Sequence, residues 1–141
     1  MSSALLAVVV VGLIGGLAAT VIGSHVHREQ TDANVVLVSA MERIKSPDFD
    51  FSNVDCTKTA ATRQAAYEAK AREVPLPSGW PASSLAVSSI AFENVTTVGG
   101  TPTVSFTGTC TTGWQRQLVA LTLTSPDGRV SPVLSFVKGD L

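Results

Sequence analysis

The chain opens on an uninterrupted apolar run at residues 4–23, ALLAVVVVGLIGGLAATVIG, which contains neither charge nor proline. About 20 such residues match the helix needed to cross a hydrocarbon core of roughly 30 Å, so the run predicts a membrane-spanning helix. From residue 25 to 45 the pattern changes while proline stays absent. Ala33, Val36, Leu37, Ala40, Met41 and Ile44 recur at i, i+3, i+4 spacing, which is the signature of one buried helical stripe. The two stretches read as a single rod, roughly 60 Å long if helical from Leu5 to Ile44 at 1.5 Å per residue. Its first half suits lipid and its second half suits one side of a protein core. Pro47 ends it and biases Ser46 toward extended geometry.

Beyond the rod, residues 46–55 read as a surface loop anchored by Phe49 and Phe51. Residues 57–72 are rich in Ala, Gln, Glu, Lys and Arg and predict a short helix with Thr57 or Thr59 as N-cap. Residues 74–81, VPLPSGWP, form a proline-punctuated connector. The final third is β: residues 85–92 and 101–109 flank a turn at Gly99-Gly100, and residues 118–124 and 130–137 flank Ser125-Pro126-Asp127-Gly128-Arg129. Val119, Leu121 and Leu123 alternate with Ala120, Thr122 and Thr124, so one face can be dry. Pro132 puts the last strand, or at least its start, at a sheet edge. The expected fold is α+β: a long N-terminal helix packed on an antiparallel sheet of about four strands, with the Val36/Leu37/Ala40/Met41/Ile44 face as its cover. The expected organisation is a transmembrane half of the helix at 1–24, its amphipathic half at 25–46 and an α+β head outside the cytoplasm at 47–141.

Two other readings of the apolar run compete. A signal peptide would carry a basic leading segment, which Met1-Ser2-Ser3 lacks, and an apolar core of only about 7–15 residues. A buried core helix would demand more protein than 141 residues can wrap around it. Composition narrows the rest. Net charge is −1 from 10 basic and 11 acidic residues, and no basic excess points to nucleic acid. The positive-inside rule does not orient the helix, because no side-chain charge precedes it. Cys56 and Cys110 are the only cysteines and lack C-x-x-C spacing. On a membrane-tethered head they predict one structural disulfide on the oxidising side of the membrane, whereas a cytoplasmic head would leave two buried thiols.

Candidate chemistry is sparse. His25, His27, Glu29 and Asp32 invite a metal reading, but residues i and i+2 point about 200° apart on a helix, and polar residues at a membrane boundary fit better. The oxygen-rich stretch 46–55 lacks the sixth-place glycine and twelfth-place glutamate of an EF-hand loop. No serine sits in a G-x-S-x-G elbow. Asn94-Val95-Thr96 matches a glycosylation acceptor, a three-residue pattern too cheap to carry a role. No catalytic residue, metal or cofactor is expected. Gly12, Gly16, Thr20 and Ser24 recur at every fourth position, lining small residues along one face where another helix can approach closely.

The sequence of a long helix, apolar then amphipathic, a loop region and a cysteine-bearing antiparallel sheet resembles a bacterial type IV pilin-like protein or pseudopilin. Ile22-Gly23-Ser24-His25-Val26-His27-Arg28-Glu29-Gln30 is similar to prepilin-like proteins of Gram-positive bacteria. So is the stretch at 117–129, QLVALTLTSPDGR, ahead of a hydrophobic strand ending in Val137-Lys138. The resemblance implies a structural subunit of a pilus-like or secretion-type filament, held in the cytoplasmic membrane with its head outside and exposed at the cell surface once assembled. It further implies contact with membrane lipid and other pilin-like subunits, with Gly12, Gly16 and Thr20 packing helix on helix and Cys56 and Cys110 stabilising the head. A prepilin peptidase and assembly machinery would process it. The basic leader, glycine-bounded cleavage site and fifth-position glutamate of prepilins do not precede Ala4. A start at a downstream methionine is the expected reason, with a variant subunit lacking the glutamate as the competing one. The alternative function is a single-pass, signal-anchored surface binding domain that does not polymerise.

Overall fold

The computed structural model describes the backbone of residues 2–110 and 116–139, and side chains within these from residue 23 onward. Its elements are α1 (Ser2–Lys45), a 3-10 turn (Phe51–Asn53), α2 (Ala60–Ala71), a second 3-10 turn (Ala82–Ser84), and strands β1 (Leu85–Val98), β2 (Thr101–Thr107), β3 (Gln117–Leu123) and β4 (Val133–Lys138). The strands form one antiparallel sheet in the order β2-β1-β3-β4.

One helix of 44 residues runs through both the apolar and the amphipathic stretch. Pro47 follows its end by two residues, and the chain turns there through Ser46, whose carbonyl accepts from the Phe49 N–H at 3.1 Å. The stripe Ala33, Val36, Leu37, Ala40 and Ile44 is buried together with Leu85, Val87, Val119, Leu121, Leu123 and Phe136 in a single core, with Met41 partly buried against it. The helix therefore covers the sheet with the face its periodicity specifies. Among the described residues no helix is long and apolar enough to cross a membrane. The run at 4–23 falls, except for Gly23, where side chains lie outside the description.

Helix α2 starts at Ala60, the later of the two starts its sequence allowed. Thr59 is the N-cap, its hydroxyl accepting from the Thr62 N–H at 3.2 Å. The helix lies along the half of β1 that has no β2 beside it, since β2 pairs only from Phe92 onward. Here α2 side chains take the place of a strand. Gln64 Nε2 donates to the Val87 carbonyl and Glu68 Oε1 accepts from the Val87 N–H, each at 3.3 Å, while Arg72 donates to the Leu85 carbonyl. An otherwise open sheet edge is thus closed without a fifth strand.

Three differences from the sequence expectation have local causes. Strand β1 runs to Val98 rather than stopping at Phe92, because its second half pairs with β2 in a ribbon turning at Gly99 and Gly100. Both glycines have positive φ, +60° and +83°, as a two-residue type I′ hairpin turn requires. Strand β4 starts at Val133 rather than Val130, because the Val130 N–H donates to Ser125 Oγ at 3.1 Å and Pro132 has no N–H to offer. A bulge at Ser88 shifts the register between Val87 and Ser89, so Leu85 and Val87 before it and Ile90 and Phe92 after it share the inner face.

The core also holds a polar clamp. Phe49, brought in by the loop after α1, stacks on Tyr67 with ring centroids 5.1 Å apart, and the Lys138 ammonium lies over the Phe49 ring. The Tyr67 hydroxyl donates to Gln117 Oε1 at 3.1 Å, and Gln117 Nε2 donates to the Val54 carbonyl at 2.8 Å. Burial pushes the Tyr67 phenol well above its ordinary range, so it stays a donor. Replacing Tyr67 with Phe strands the buried Gln117 carbonyl, and urea denaturation is expected to show a loss of about 1–3 kcal/mol. Cys56 and Cys110 are joined, with Cα atoms 5.5 Å apart across a sequence separation of 54. Replacing both with Ala is expected to remove about 4 kcal/mol in the chain-entropy account, read from the same denaturation curves.

Candidate functional site

The outward side of α1 is the first place to look for function, because it is not the face a lone head would bury. Val35 and Val38 are 61% and 48% exposed there. With Val74 and Pro75 they line an open cleft of about 600 Å³ between α1 and the chain leaving α2. Arg43 and Glu73 pair across it at 3.3 Å, and Lys70 joins Glu73 at 2.9 Å. Such exposed pairs are worth under about 1 kcal/mol each and orient the connector more than they stabilise it. Ser39, which with Ser46 supplies the hydroxyls of the lining, donates to the Val35 carbonyl one turn back at 2.9 Å. The cleft offers packing surface and no assembled nucleophile and base.

The metal-like stretches resolve into local structure. His25 Nδ1 lies 3.5 Å from Glu29 one turn on, and among the described residues no group of three His, Cys, Asp or Glu side chains is placed to hold a metal ion. In the 46–55 loop, Asp50 caps the first 3-10 turn by accepting from the Ser52 N–H at 3.0 Å and from Asn53 Nδ2 at 3.2 Å. Asp55 accepts from the Thr57 hydroxyl and N–H. These hydrogen bonds hold both carboxyls below the usual aspartate range. Asp50 and Asp55 thus hold local turns through the Ser52 and Thr57 N–H groups and the Asn53 and Thr57 side chains.

No protein-family model, no curated protein and no solved structure matches this chain.

Of the residues singled out from sequence, the structure brings Cys56 and Cys110 together, tying the loop after α1 to the end of the ribbon. Gly12, Gly16 and Thr20 lie in α1, at positions whose side chains are outside the description. Several organising residues escaped the sequence reading. Arg63 lies over the Phe92 ring, 4.9 Å from its centroid, and also donates to the Asp55 and Lys58 carbonyls, so one α2 side chain stitches loop to sheet. Arg116 makes a two-nitrogen pair with Glu93 at the base of the β1–β2 ribbon. One clue was on view: the only tyrosine of the chain sits in an Ala-rich helix, four residues before Ala71 and four after Arg63.

Four carboxyls have depressed folded-state pKa values: Asp50 by hydrogen bonds from Ser52, Asp55 by those from Thr57, Glu93 by Arg116, and Asp127 by those from Ser125 and Arg129. A depressed carboxyl contributes stability above its unfolded pKa, and that contribution is lost as pH falls through the folded value. The urea midpoint is therefore expected to hold steady from about pH 8 to 5 and to drop below about pH 4. A midpoint equal at pH 3 and pH 6 would contradict these hydrogen bonds.

Proposed function

We propose that this chain is a membrane-anchored structural subunit of a pilus-like or pseudopilus filament, assembling through its N-terminal helix. The observation that carries the reading is the continuity of α1. One helix of 44 residues begins in a charge-free apolar sequence and ends as the roof of a disulfide-bridged α+β head. At 1.5 Å per residue it is about 66 Å long, far more than a cover for a four-stranded sheet needs. Residues 4–23 serve lipid before assembly and neighbouring rods afterwards. Moving such a helix from lipid into a bundle exchanges one apolar medium for another, so close contact at small residues decides the balance. Gly12, Gly16 and Thr20 supply that contact, and the head stays outside the cytoplasmic membrane, where its disulfide persists. The other components are membrane lipid, further pilin-like subunits, a prepilin peptidase and an assembly machinery.

Replacing Gly16 with Ile tests the reading. Crosslinking in membranes is expected to give a ladder of oligomers for the unchanged chain and mostly monomer for the variant, with the Cys56–Cys110 bridge still formed in both. Ladders unchanged by the substitution would overturn helix packing as the basis of assembly. The absence of any ladder from the unchanged chain would favour the single-pass binding domain instead.

A further inference from the structure

Every residue from Asn94 to Ser105, the two arms and the tip of the β1–β2 ribbon, is exposed. Three of them are valines, Val95, Val98 and Val104, with 57%, 71% and 50% of their surface in water. No charged residue occurs between Glu93 and Arg116 in the sequence, so the ribbon lacks the charges that commonly keep an exposed strand edge in solution. Pro102 removes one backbone donor from β2, the edge strand, and leaves the others. What the ribbon carries instead is hydroxyl, from Thr96, Thr97, Thr101, Thr103 and Ser105. Among the described residues, Ser105 is the only one of these five whose hydroxyl is hydrogen-bonded, donating to the Asn94 carbonyl across the ribbon at 3.3 Å. The threonine hydroxyls are therefore both free and in water.

We propose that Thr101 and Thr103 are sites of O-glycosylation. Hydroxyl residues interspersed with proline are the composition of O-glycosylated segments, and Pro102 sits between these two threonines. It also holds Thr101 in extended geometry. Standing two apart on β2, the pair shows both hydroxyls on one face of the ribbon, opposite Val98 and Thr96. Strand β2 has β1 on one side only, so a transferase can approach along its outer edge. In the transfer, threonine Oγ1 attacks the anomeric carbon of a sugar carried on a lipid phosphate. The bond between that carbon and the phosphate oxygen breaks, its electron pair leaves with the phosphate, and the hydroxyl proton passes to a base of the transferase. A lipid-borne donor suits a head held at the outer side of a membrane, and to that extent the inference rests on the function proposed above. The sugar supplies what the ribbon's own side chains lack. It is bulky and strongly hydrated, so it keeps the exposed valines in solution. Beside the open edge of β2 it also obstructs pairing with a further strand.

The test is the intact mass of the full chain purified from the membranes of its own cells, followed by fragmentation that keeps sugars attached. The chain is expected to exceed its sequence mass by whole sugar units that map to Thr101 and Thr103. Mild alkali is expected to release them, whereas it would leave a sugar linked to the Asn94 amide in place. The Thr101→Val, Thr103→Val double variant keeps β-branched side chains at both strand positions and is expected to lose the whole increment while still forming the Cys56–Cys110 bridge. Asn94→Gln is expected to keep it. Protease added to spheroplasts locates the head independently. A cleaved head without sugar would overturn the glycosylation and leave the membrane-anchored reading standing, and a protected head without sugar would overturn both. Sugar that survives the double variant, or that maps to Asn94 or Thr97 instead, would also overturn the assignment.

Discussion

Everything in the head depends on one burial event, the seating of the Ala33–Val36–Leu37–Ala40–Ile44 stripe on the inner face of the sheet. Neither surface is stable alone. A small antiparallel sheet with one apolar face needs a cover, and a helical stripe of this kind needs a surface to lie on. Ala33 and Ala40, both fully buried, leave room for the helix to come close, while Leu37 and Ile44 fill the space between strands. Each large aliphatic side chain removed from water contributes about 1.5–3 kcal/mol. That is enough for a few of them to outweigh any single polar contact in the molecule.

The polar groups matter through where they fail to cost. A sheet edge beside α2 and a glutamine in the core are both liabilities in principle, since unpartnered backbone or amide groups away from water are expensive. Here Gln64, Glu68 and Arg72 answer the Val87 and Leu85 backbone, and Tyr67 and Val54 answer Gln117. Helix α2, weakly apolar by composition, earns its place chiefly as a row of hydrogen-bonding side chains. Tyr67 and Ala71 are its only fully buried contributions.

What could be read from the sequence was what is periodic or punctuated. The α1 stripe, the Gly99-Gly100 turn and the edge position of β4 follow from spacing and from residues with few conformational options, and the α2 cap was narrowed to Thr57 or Thr59. Long-range effects were hidden. The extension of β1 past Phe92 depends on a partner strand beyond the turn, and Thr96 and Thr97 carry no alternation that would announce it. The late start of β4 depends on a hydroxyl, Ser125, five residues before the Val130 N–H it captures. The Tyr67–Gln117 bond spans 50 residues and has no local signature. The cysteines were the exception, because two alone allow only one pairing.

The bridge has a mechanical consequence. Cys56 lies just past the end of the rod and Cys110 just past the ribbon, so α2, β1 and β2 all sit inside one covalent loop. When the head is pulled between its two ends, tension crosses the sulfur link and bypasses that loop. The 54-residue separation withholds about 190 Å of contour from extension, at about 3.6 Å per residue. Only the short loop after α1 and the chain from β3 onward can be drawn out, and β4, at the sheet edge, is the strand that must peel first.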